Sequence, residues 1–132
     1  MKYLLDTHTW VWWHMNPKKL SQKVKKIIGN TSEYDELLLS AMSPWEFSKL
    51  LEKKKIGISS DPEDWISKAL DMPKFRLVPL SPVLAYRSTV LPQPFHCDPA
   101  DQIIVATARE ENATLLTKDE RILSYKNVRS LW

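Results

Sequence analysis

The stretch DPADQIIVATAREENATLLTKD, residues 98–119, decides the fold class, because it joins a clearly marked helix directly to an apolar strand. Asp98 followed by Pro99 is typical of a helix start, since the aspartate can accept from a free backbone amide and proline has no amide to satisfy. The apolar spacing that follows predicts a helix over Pro99–Glu111. The run Ala113–Thr117 predicts a strand, and a helix leading into a strand is a repeating unit of α/β folds.

Outside this unit, the chain keeps alternating between short apolar strands and helices. The other predicted strands are Lys2–Leu5, Leu37–Leu39, Phe75–Leu80 and Asn127–Leu131. The other predicted helices are Thr9–Met15, Ser21–Ile28, Pro44–Lys55, Pro62–Met72, one that opens at Ser81 and Pro82, and a short one after Asp119. Strands separated by helices predict βαβ units. We therefore expect an α/β fold with a mostly parallel central sheet of about five strands.

Length and composition indicate a single domain over residues 1–132. With 43% hydrophobic and 27% charged residues, the chain has the composition of a globular protein and not of a disordered one. Its one cysteine, Cys97, cannot form an internal disulfide, which favours a cytoplasmic location. No apolar stretch approaches the roughly 20 residues of a membrane span. Charged or polar Asp6, His8 and His14 interrupt the apolar N-terminus, so we expect neither a membrane segment nor secretion.

The net charge is +3, with a sequence pI near 9.0. Lysines form two clusters, one at Lys18, Lys19, Lys23, Lys25 and Lys26 and one at Lys49, Lys53, Lys54 and Lys55. Runs of charge are most often solvated helix faces. The alternative interpretation is contact with the phosphates of a nucleic acid, and the sequence leaves both open.

Four carboxylates stand where one predicted element gives way to another: Asp6, Glu46, Asp101 and Asp119. Two of them follow strands and two fall in the first turn of helices. In an open α/β sheet, the carboxyl ends of the strands and the adjacent helix N-termini share one crevice, so the four acids can meet there. Carboxylates that lie so close repel one another, and a hard divalent cation such as Mg²⁺ or Mn²⁺ relieves the repulsion.

Each of these acids also has a structural explanation as a helix cap. The segments SPWE (43–46) and DPAD (98–101) share one form, in which a cap residue and a proline precede an acid that can reach back in a capping box. The segment DPED (61–64) has the same form, yet nothing places it at the mouth of a sheet. Asp6 and Asp119 can cap the helices that follow them. The pattern alone therefore leaves caps and metal ligands both open.

Four segments resemble motifs of the PIN domain, and more narrowly those of the VapC-type toxins of bacterial and archaeal toxin–antitoxin pairs. They are LLDTH (4–8), SPWE (43–46), HCDPADQIIVA (96–106) and LLTKD (115–119). The resemblance covers the whole chain and rests on the order and spacing of the four segments together. One departure is visible, because Gln102 stands where many relatives have an arginine, so a cation near the site is lost.

The resemblance implies an α/β/α sandwich and an endoribonuclease that uses Mg²⁺ or Mn²⁺ to activate the water that hydrolyses RNA. The residues that it implies as catalytic and metal-binding are Asp6, Glu46, Asp101 and Asp119. Thr7 and Thr117 are expected to donate hydrogen bonds to these carboxylates, and Asp98 to lie near the metal while it caps its helix. The implied partners are an RNA substrate, a cognate antitoxin protein and a second copy of the chain in a homodimer.

Other function classes stay open on the sequence. A catalytically silent PIN-like protein that only binds RNA or acts as a scaffold would not need four mutually repelling acids. A doubly wound phosphatase or phosphotransfer domain is disfavoured, because His8 stands where a haloacid-dehalogenase-like phosphatase has its second aspartate. A metal-free reaction with His8 or His96 as general base is a third alternative, and activity that survives EDTA would support it.

The first predicted helix carries Trp10, Trp12 and Trp13 and is apolar nearly all round. Such a helix is either buried or partly an interface, since tryptophan is enriched at binding hot spots. We expect this region to contribute to the dimer or to the antitoxin contact.

Overall fold

Five parallel strands form one sheet in the computed structural model, which describes residues 1–30, 32 and 35–132. The strands are β1 (Lys2–Leu5), β2 (Glu36–Ser40), β3 (Phe75–Val78), β4 (Thr114–Leu116) and β5 (Ser130–Leu131). Their order across the sheet is β3-β2-β1-β4-β5, and every neighbouring pair runs parallel. The predicted α/β class, strand number and parallel pairing are therefore confirmed.

Helices connect the strands at the places that the sequence predicts. They are α1 (Thr7–Met15), α2 (Gln22–Gly29), α3 (Met42–Glu52), α4 (Pro62–Leu70), α5 (Pro82–Ser88), α6 (Pro99–Glu110) and α7 (Glu120–Leu123), with an additional 3₁₀ turn at Pro17–Lys19. Two strands are shorter than predicted: β3 ends before Pro79, which has no amide for the ladder, and β5 begins at Ser130 and not at Asn127. Within the described ranges, no helix is long and apolar enough to cross a membrane.

Helix α3 begins two residues earlier than predicted, so the assignment of Ser43 as its N-cap is wrong. The helix starts at Met42, whose amide donates to Ser40 Oγ over 3.1 Å. Pro44 still falls in the first turn, where its missing amide breaks no helical hydrogen bond. Glu46 therefore lies beyond the first turn, and the capping role that the sequence offers for it is also wrong.

The two Asp-Pro helix starts form as predicted. The carboxylate of Asp98 accepts from the amide of Asp101 over 3.0 Å, and that of Asp61 accepts from the amide of Asp64 over 3.3 Å. Each aspartate satisfies one of the free amides in the first helical turn. The cap of α6 thus belongs to Asp98, which leaves the carboxylate of Asp101 available for other contacts.

Leucines of the central strands alternate between two apolar cores, one on each face of the sheet. Leu4, Leu38 and Leu115 pack with Ile104 and Val105 of α6 in the first core. The second core contains Leu5, Leu39, Leu116, Trp10 and Phe47. Because both faces are buried under helices, the sheet forms the middle layer of an α/β/α sandwich, as the resemblance implies.

The tryptophans of α1 divide between the core and its edge. Trp10 is fully buried between Phe47 and Trp65, with ring centroids 5.8 and 5.3 Å away, and its indole N–H donates to the carbonyl of Ala69. Trp12 and Trp13 are only half-buried. Burial fully explains Trp10, whereas a contact of Trp12 and Trp13 with a partner stays a prediction.

The chain reverses its direction across the sheet at β1. It leaves β1 for β2 and β3 on one side and returns to β4 and β5 on the other. Ligands of open α/β sheets bind at such a reversal, outside the carboxyl ends of the strands. The Asp6 amide, directly after β1, donates to the Leu116 carbonyl at the end of β4 over 3.1 Å, so these two strand ends lie side by side.

Candidate active site

A cavity of about 610 Å³ opens at this reversal point, and all four predicted acids line it. Asp6 follows β1, Glu46 belongs to α3, Asp101 to the first turn of α6, and Asp119 precedes α7. Asp98 lines the same cavity. The structure thus brings together side chains that are up to 113 positions apart in the sequence (119 − 6).

Asp6 is the most buried of the four acids, with 4% of its surface exposed. Its Oδ1 accepts from the Thr7 amide over 2.8 Å, and its Oδ2 accepts from Thr117 Oγ1 over 2.7 Å. Thr117 Oγ1 in turn accepts from the Asp119 amide over 3.0 Å. Thr117 therefore makes the carboxylate contact expected from the sequence, and it fixes Asp6 relative to Asp119.

Glu46 is tied to Asp6 through Thr7, whose hydroxyl donates to Glu46 Oε1. Because that hydroxyl has one proton, it accepts in its second contact, with Ser43 Oγ over 2.9 Å. Ser43 is fully buried and is a residue that the sequence analysis missed as a support for the site. Burial raises the pKa of Glu46 to about 7; the Thr7 hydrogen bond opposes this shift, and the nearby charges of Asp6, Asp101 and Asp98 add to it.

Asp101 turns its carboxylate into the cavity and not back onto its helix. Its Oδ2 lies 2.7 Å from His96 Nε2 and 3.3 Å from Arg121 Nη2. Burial raises the pKa of Asp101, and the neighbouring charges of Asp6 and Asp98 add to the shift against the hydrogen bond from His96. The capping box offered by the sequence is therefore only half formed, since Asp98 accepts from Asp101 without a reciprocal contact.

Asp119 combines a capping contact with an ion pair. Its Oδ1 accepts from the Arg121 amide over 2.9 Å, and its Oδ2 lies 3.1 Å from Arg121 Nη2. Although burial raises the pKa of Asp119, the hydrogen bonds and charge of Arg121 lower it on balance. Asp119 therefore caps α7, as the sequence allows. Its second carboxylate oxygen, Oδ2, faces the guanidinium of Arg121.

Arg121 is the second site residue that the sequence analysis missed. Its guanidinium bridges Asp101 and Asp119, and 60% of its side chain is exposed. It supplies a cation to the site from α7, whereas Gln102 uses its amide to donate to the His96 carbonyl over 3.2 Å. The positive charge expected to be missing at Gln102 is therefore present in the cavity from another part of the chain.

The donor set fits a hard divalent cation, although the side chains do not enclose one. In the part of the chain that the structure describes, no three His, Cys, Asp or Glu side chains form a group with metal-binding geometry. Buried carboxylates that repel one another and are offset by one exposed arginine suit Mg²⁺ or Mn²⁺ chemically. Arg121 contacts two of the four acids, so its guanidinium competes with a cation for their oxygens.

Both candidate histidines are engaged with other groups. His8 Nε2 accepts from the Lys118 amide over 2.9 Å, which places the ring proton on Nδ1, 3.7 Å from Asp6 Oδ2. Burial lowers the pKa of His8 despite the nearby charge of Asp6, so the ring is neutral at pH 7. His96 is bound to Asp101. A metal-free reaction with a histidine as general base stays a hypothesis, and activity that survives EDTA would support it.

Comparisons with known proteins give one family. The model of the PIN domain family matches residues 3–128 of this chain. Ribonuclease VapC22 of Mycobacterium tuberculosis is 34% identical over 126 residues, which are 96% of this chain and 93% of that protein.

Solved structures of toxins and toxin complexes share the fold. The VapBC2 complex of Rickettsia felis with promoter DNA has a TM-score of 0.70 at 17% identity, covering 99% of this chain and 98% of that one. VapBC-1 of nontypeable Haemophilus influenzae gives 0.67 at 18%, covering 99% and 97%. VapC20 of Mycobacterium tuberculosis, described as a sarcin-ricin loop cleaving toxin, gives 0.62 at 13%, covering 96% and 98%. Since the family model covers nearly the whole sequence and the fold agrees, the chain belongs to the PIN domain family and is similar to its VapC-type ribonucleases.

Proposed function

We propose that this protein is a metal-dependent endoribonuclease and the toxin of a type II toxin–antitoxin pair. The observation that carries the proposal is the convergence of Asp6, Glu46, Asp101 and Asp119 on one cavity at the reversal point of the sheet. The 34% identity to a protein named a ribonuclease, over 96% of this chain, supports RNA as the substrate. Nucleases of this kind are generally dependent on divalent metal ions.

Mg²⁺ or Mn²⁺ is the cation that we assign to the site, with Asp6 and Asp101 as direct ligands and Glu46 and Asp119 binding directly or through water. The bound cation would lower the pKa of the attacking water and offset the charge that develops on the phosphate. In this hydrolysis the oxygen of water would bond to phosphorus, the bond between phosphorus and O3′ would break, and a proton from the water would end on O3′, so the products would carry a 5′-phosphate and a 3′-hydroxyl.

The protein's own contribution is to fix Asp6 and Glu46 before the substrate arrives. Thr117 holds one oxygen of Asp6, and the amide of Thr7 holds the other. The hydroxyl of Thr7 orients Glu46. Arg121 lines the same cavity, so its guanidinium can also pair with the phosphate of the substrate.

The proposal is tested by incubating the purified protein with single-stranded and structured RNA in Mn²⁺, in Mg²⁺ and in EDTA. We expect internal cleavage with either ion and none in EDTA. Cleavage that persists in EDTA, or products with a 2′,3′-cyclic phosphate, would contradict the metal mechanism.

The partners follow from the same proposal. Structures with this fold include complexes named VapBC and a toxin–antitoxin complex from Klebsiella pneumoniae. We therefore assign to this chain a cognate antitoxin that covers the toxin, a homodimeric state, and a place in the cytoplasm, where its RNA substrate is found. Co-expression with the product of a neighbouring small open reading frame tests the antitoxin, and size-exclusion chromatography with light scattering tests the dimer.

Glu46 is expected to stabilise the metal-free protein at low pH, and this contribution is lost as the pH rises from about 4.5 to about 7. Burial raises the pKa of Glu46 from 4.5 to about 7, so the folded state favours the protonated form. This contribution to stability is complete below the pKa of the unfolded chain and is lost as the pH passes through the pKa of the folded state. The Glu46→Gln variant should lose this part of the pH dependence. Thermal midpoints measured in EDTA between pH 5 and pH 8 test the prediction, and equal slopes for both proteins would contradict it.

Removing the arginine that occupies the acids is expected to tighten metal binding. Exposed ion pairs are weak, so Arg121→Gln should lower the dissociation constant for Mn²⁺ by no more than about fivefold in the absence of RNA. Isothermal titration calorimetry measures this change. Arg87→Gln is the matched control, because it breaks an exposed ion pair with Glu110 away from the cavity. An affinity that is unchanged or weaker in Arg121→Gln would contradict the prediction.

A further inference from the structure

A large aromatic side chain stands exposed beside the acids. Trp45 immediately precedes Glu46 in α3, lines the same cavity and has 53% of its surface exposed. Tryptophans in this chain otherwise pack into or against the core, as Trp10 and Trp65 do. The exposed part of this indole leaves apolar surface in water beside the cavity, where a ligand can cover it.

Lysines continue the same face of α3 beyond Trp45. Trp45, Lys49 and Lys53 follow at intervals of four residues, which places them in one stripe along the helix. All three line the cavity, and the Lys49 ammonium lies 5.7 Å from the centroid of the Trp45 ring. Lys49 also pairs with Glu52 over 3.1 Å, but an exposed pair of this kind is weak and leaves the ammonium available.

The end of α3 adds a third lysine, Lys55, to the side of the cavity lined by Trp45, Lys49 and Lys53, which we call the α3 wall. Lys54 adopts a left-handed backbone with φ 56°, its amide donates to the carbonyl of Leu51, and the Lys55 amide donates to that of Leu50. These are the paired hydrogen bonds of a Schellman motif, which reverses the chain after a helix. Lys55 therefore lies on the wall of the cavity together with Lys53.

The lysines on this side of the cavity attract a phosphate backbone, whereas the acids of the neighbouring site repel it. The floor of the cavity is acidic, so a nucleic acid strand without other contacts would be pushed away from it. Three lysines that line the same cavity offset this repulsion, and the exposed ring of Trp45 offers a surface to the π-face of a base. Bases can reach such a ring only when they are unpaired, which favours single strands and loops over duplexes.

We propose that Trp45 stacks on an unpaired base of the RNA next to the scissile phosphate, while Lys49, Lys53 and Lys55 bind the phosphates that follow. This inference rests on the proposed function for its substrate class, and it assigns the substrate-binding wall to α3. Trp45 is a positioning residue here, because it contacts a base and not the reacting phosphate.

The test measures RNA binding in EDTA, where the proposed mechanism predicts no cleavage, by fluorescence anisotropy with a short labelled single-stranded RNA. Trp45→Ala should weaken binding by about 5- to 150-fold, the range that corresponds to loss of one base–aromatic stack. Trp45→Phe should restore most of the affinity. Tyr86→Ala is the matched control, because Tyr86 is an aromatic residue with 65% exposure on α5, outside the cavity, and its loss should change nothing.

Two further measurements separate stacking from charge. A blunt RNA duplex should bind Trp45→Ala and the wild type equally. Replacing Lys49, Lys53 and Lys55 with glutamine should reduce the slope of log affinity against log salt by about 0.7 for each single-strand phosphate that a lysine no longer neutralises. Circular dichroism confirms that each variant is folded, which is expected because the four side chains are not part of the core.

The results of these measurements separate this inference from the proposed function. Equal RNA affinity of Trp45→Ala, Tyr86→Ala and wild type, or an equal loss on duplex RNA, overturns the stacking role even if the protein cleaves RNA. Loss of antitoxin binding in Trp45→Ala with unchanged RNA affinity overturns it too, and makes this wall a protein-docking surface. If the protein does not cleave RNA in Mn²⁺ but its binding of single-stranded RNA depends on Trp45, the stacking role of Trp45 holds and the enzyme assignment fails.

Discussion

Asp6→Asn is expected to lower the rate of RNA cleavage by at least about a thousandfold while the protein stays folded. Metal ions contribute several kcal/mol of transition-state stabilisation in phosphoryl chemistry, and each factor of ten in rate corresponds to about 1.36 kcal/mol. Asparagine has the shape of aspartate, so it can keep the hydrogen bond from the Thr7 amide. It cannot supply the negative charge that the cation needs. Initial rates with Mn²⁺ in excess measure the effect.

Asp101→Asn is the second variant for this experiment, because a loss of activity in it is not readily explained by a loss of folding. Asp6 is buried and accepts a hydrogen bond from Thr117, so its replacement rearranges that contact. The carboxylate of Asp101 has no capping role, because Asp98 accepts from its amide. Replacing it should therefore leave α6 intact, and the rate should again fall by about three orders of magnitude.

The sequence offers a matched control in Asp61, which begins α4 in the same Asp-Pro form as the start of α6. Asp61 caps the amide of Asp64 outside the cavity. Asp61→Asn should leave the cleavage rate unchanged, since asparagine is also a good N-cap residue. Cleavage rates of Asp6→Asn and Asp101→Asn equal to that of Asp61→Asn would show that these two carboxylates take no part in the reaction, and would overturn the assignment of the active site.

The acids at strand ends could be found from the sequence because their positions follow a local rule. Asp6 comes directly after a short apolar run, Asp119 follows another with one lysine between, and parallel strands place their carboxyl ends at one edge of the sheet. Nothing beyond hydrophobic patterning is needed for that step. The sheet order then adds what patterning cannot give, because only the reversal at β1 brings the ends of β1 and β4 next to each other.

Local rules failed where two of them competed. The segment SPWE (43–46) has the form of an N-cap at Ser43. In the structure, however, the Met42 amide donates to Ser40 Oγ, and the helix begins at Met42, two residues earlier than predicted. Ser43 is then free to bind Thr7, a contact across 36 positions that no periodicity reveals. The same earlier start moves Glu46 out of the first turn, so its exposure to the cavity, and not a capping box, explains its position.

Arg121 could not be predicted, because its role depends on tertiary geometry alone. It lies in a helix of four residues, where no apolar spacing marks a face. Its guanidinium reaches Asp101 from another element only because Asp119 caps that short helix and sets its direction. The loss of a cation at Gln102 is visible in the sequence, whereas its replacement from α7 becomes visible only when the two helices are seen together.

Phe47→Ala is expected to reduce the free energy of unfolding by about 3–5 kcal/mol, the usual loss when a large aromatic side chain is removed from a core. Phe47 is fully buried, stacks on Trp65 with ring centroids 4.2 Å apart, and contacts Trp10 edge-on. Since small domains are stable by only about 5–15 kcal/mol, this loss should be large enough to unfold much of the protein on mild heating. Urea denaturation followed by far-UV circular dichroism measures it.

Tyr86→Ala is again the control, and as an exposed substitution it should change the free energy of unfolding by less than about 0.5 kcal/mol. Phe47→Leu should lose less than Phe47→Ala, because it leaves a smaller cavity. A free energy of unfolding of Phe47→Ala within about 1 kcal/mol of the wild-type value would lie well below the effect of an aromatic core deletion. It would show that the packing of Phe47 against Trp10 and Trp65 does not hold α3 in place.

The position of Phe47 also determines which way its neighbours on α3 face. Successive residues in a helix are separated by about 100°, so burying Phe47 turns Glu46 toward the side and Trp45 toward the opposite face. One buried ring thus directs both an acid of the site and the exposed indole beside it. We therefore expect Phe47→Leu, which keeps the helix anchored, to retain Mn²⁺ binding and RNA affinity close to wild type. A folded Phe47→Leu that lost both would show that the cluster controls the site by more than orienting this helix.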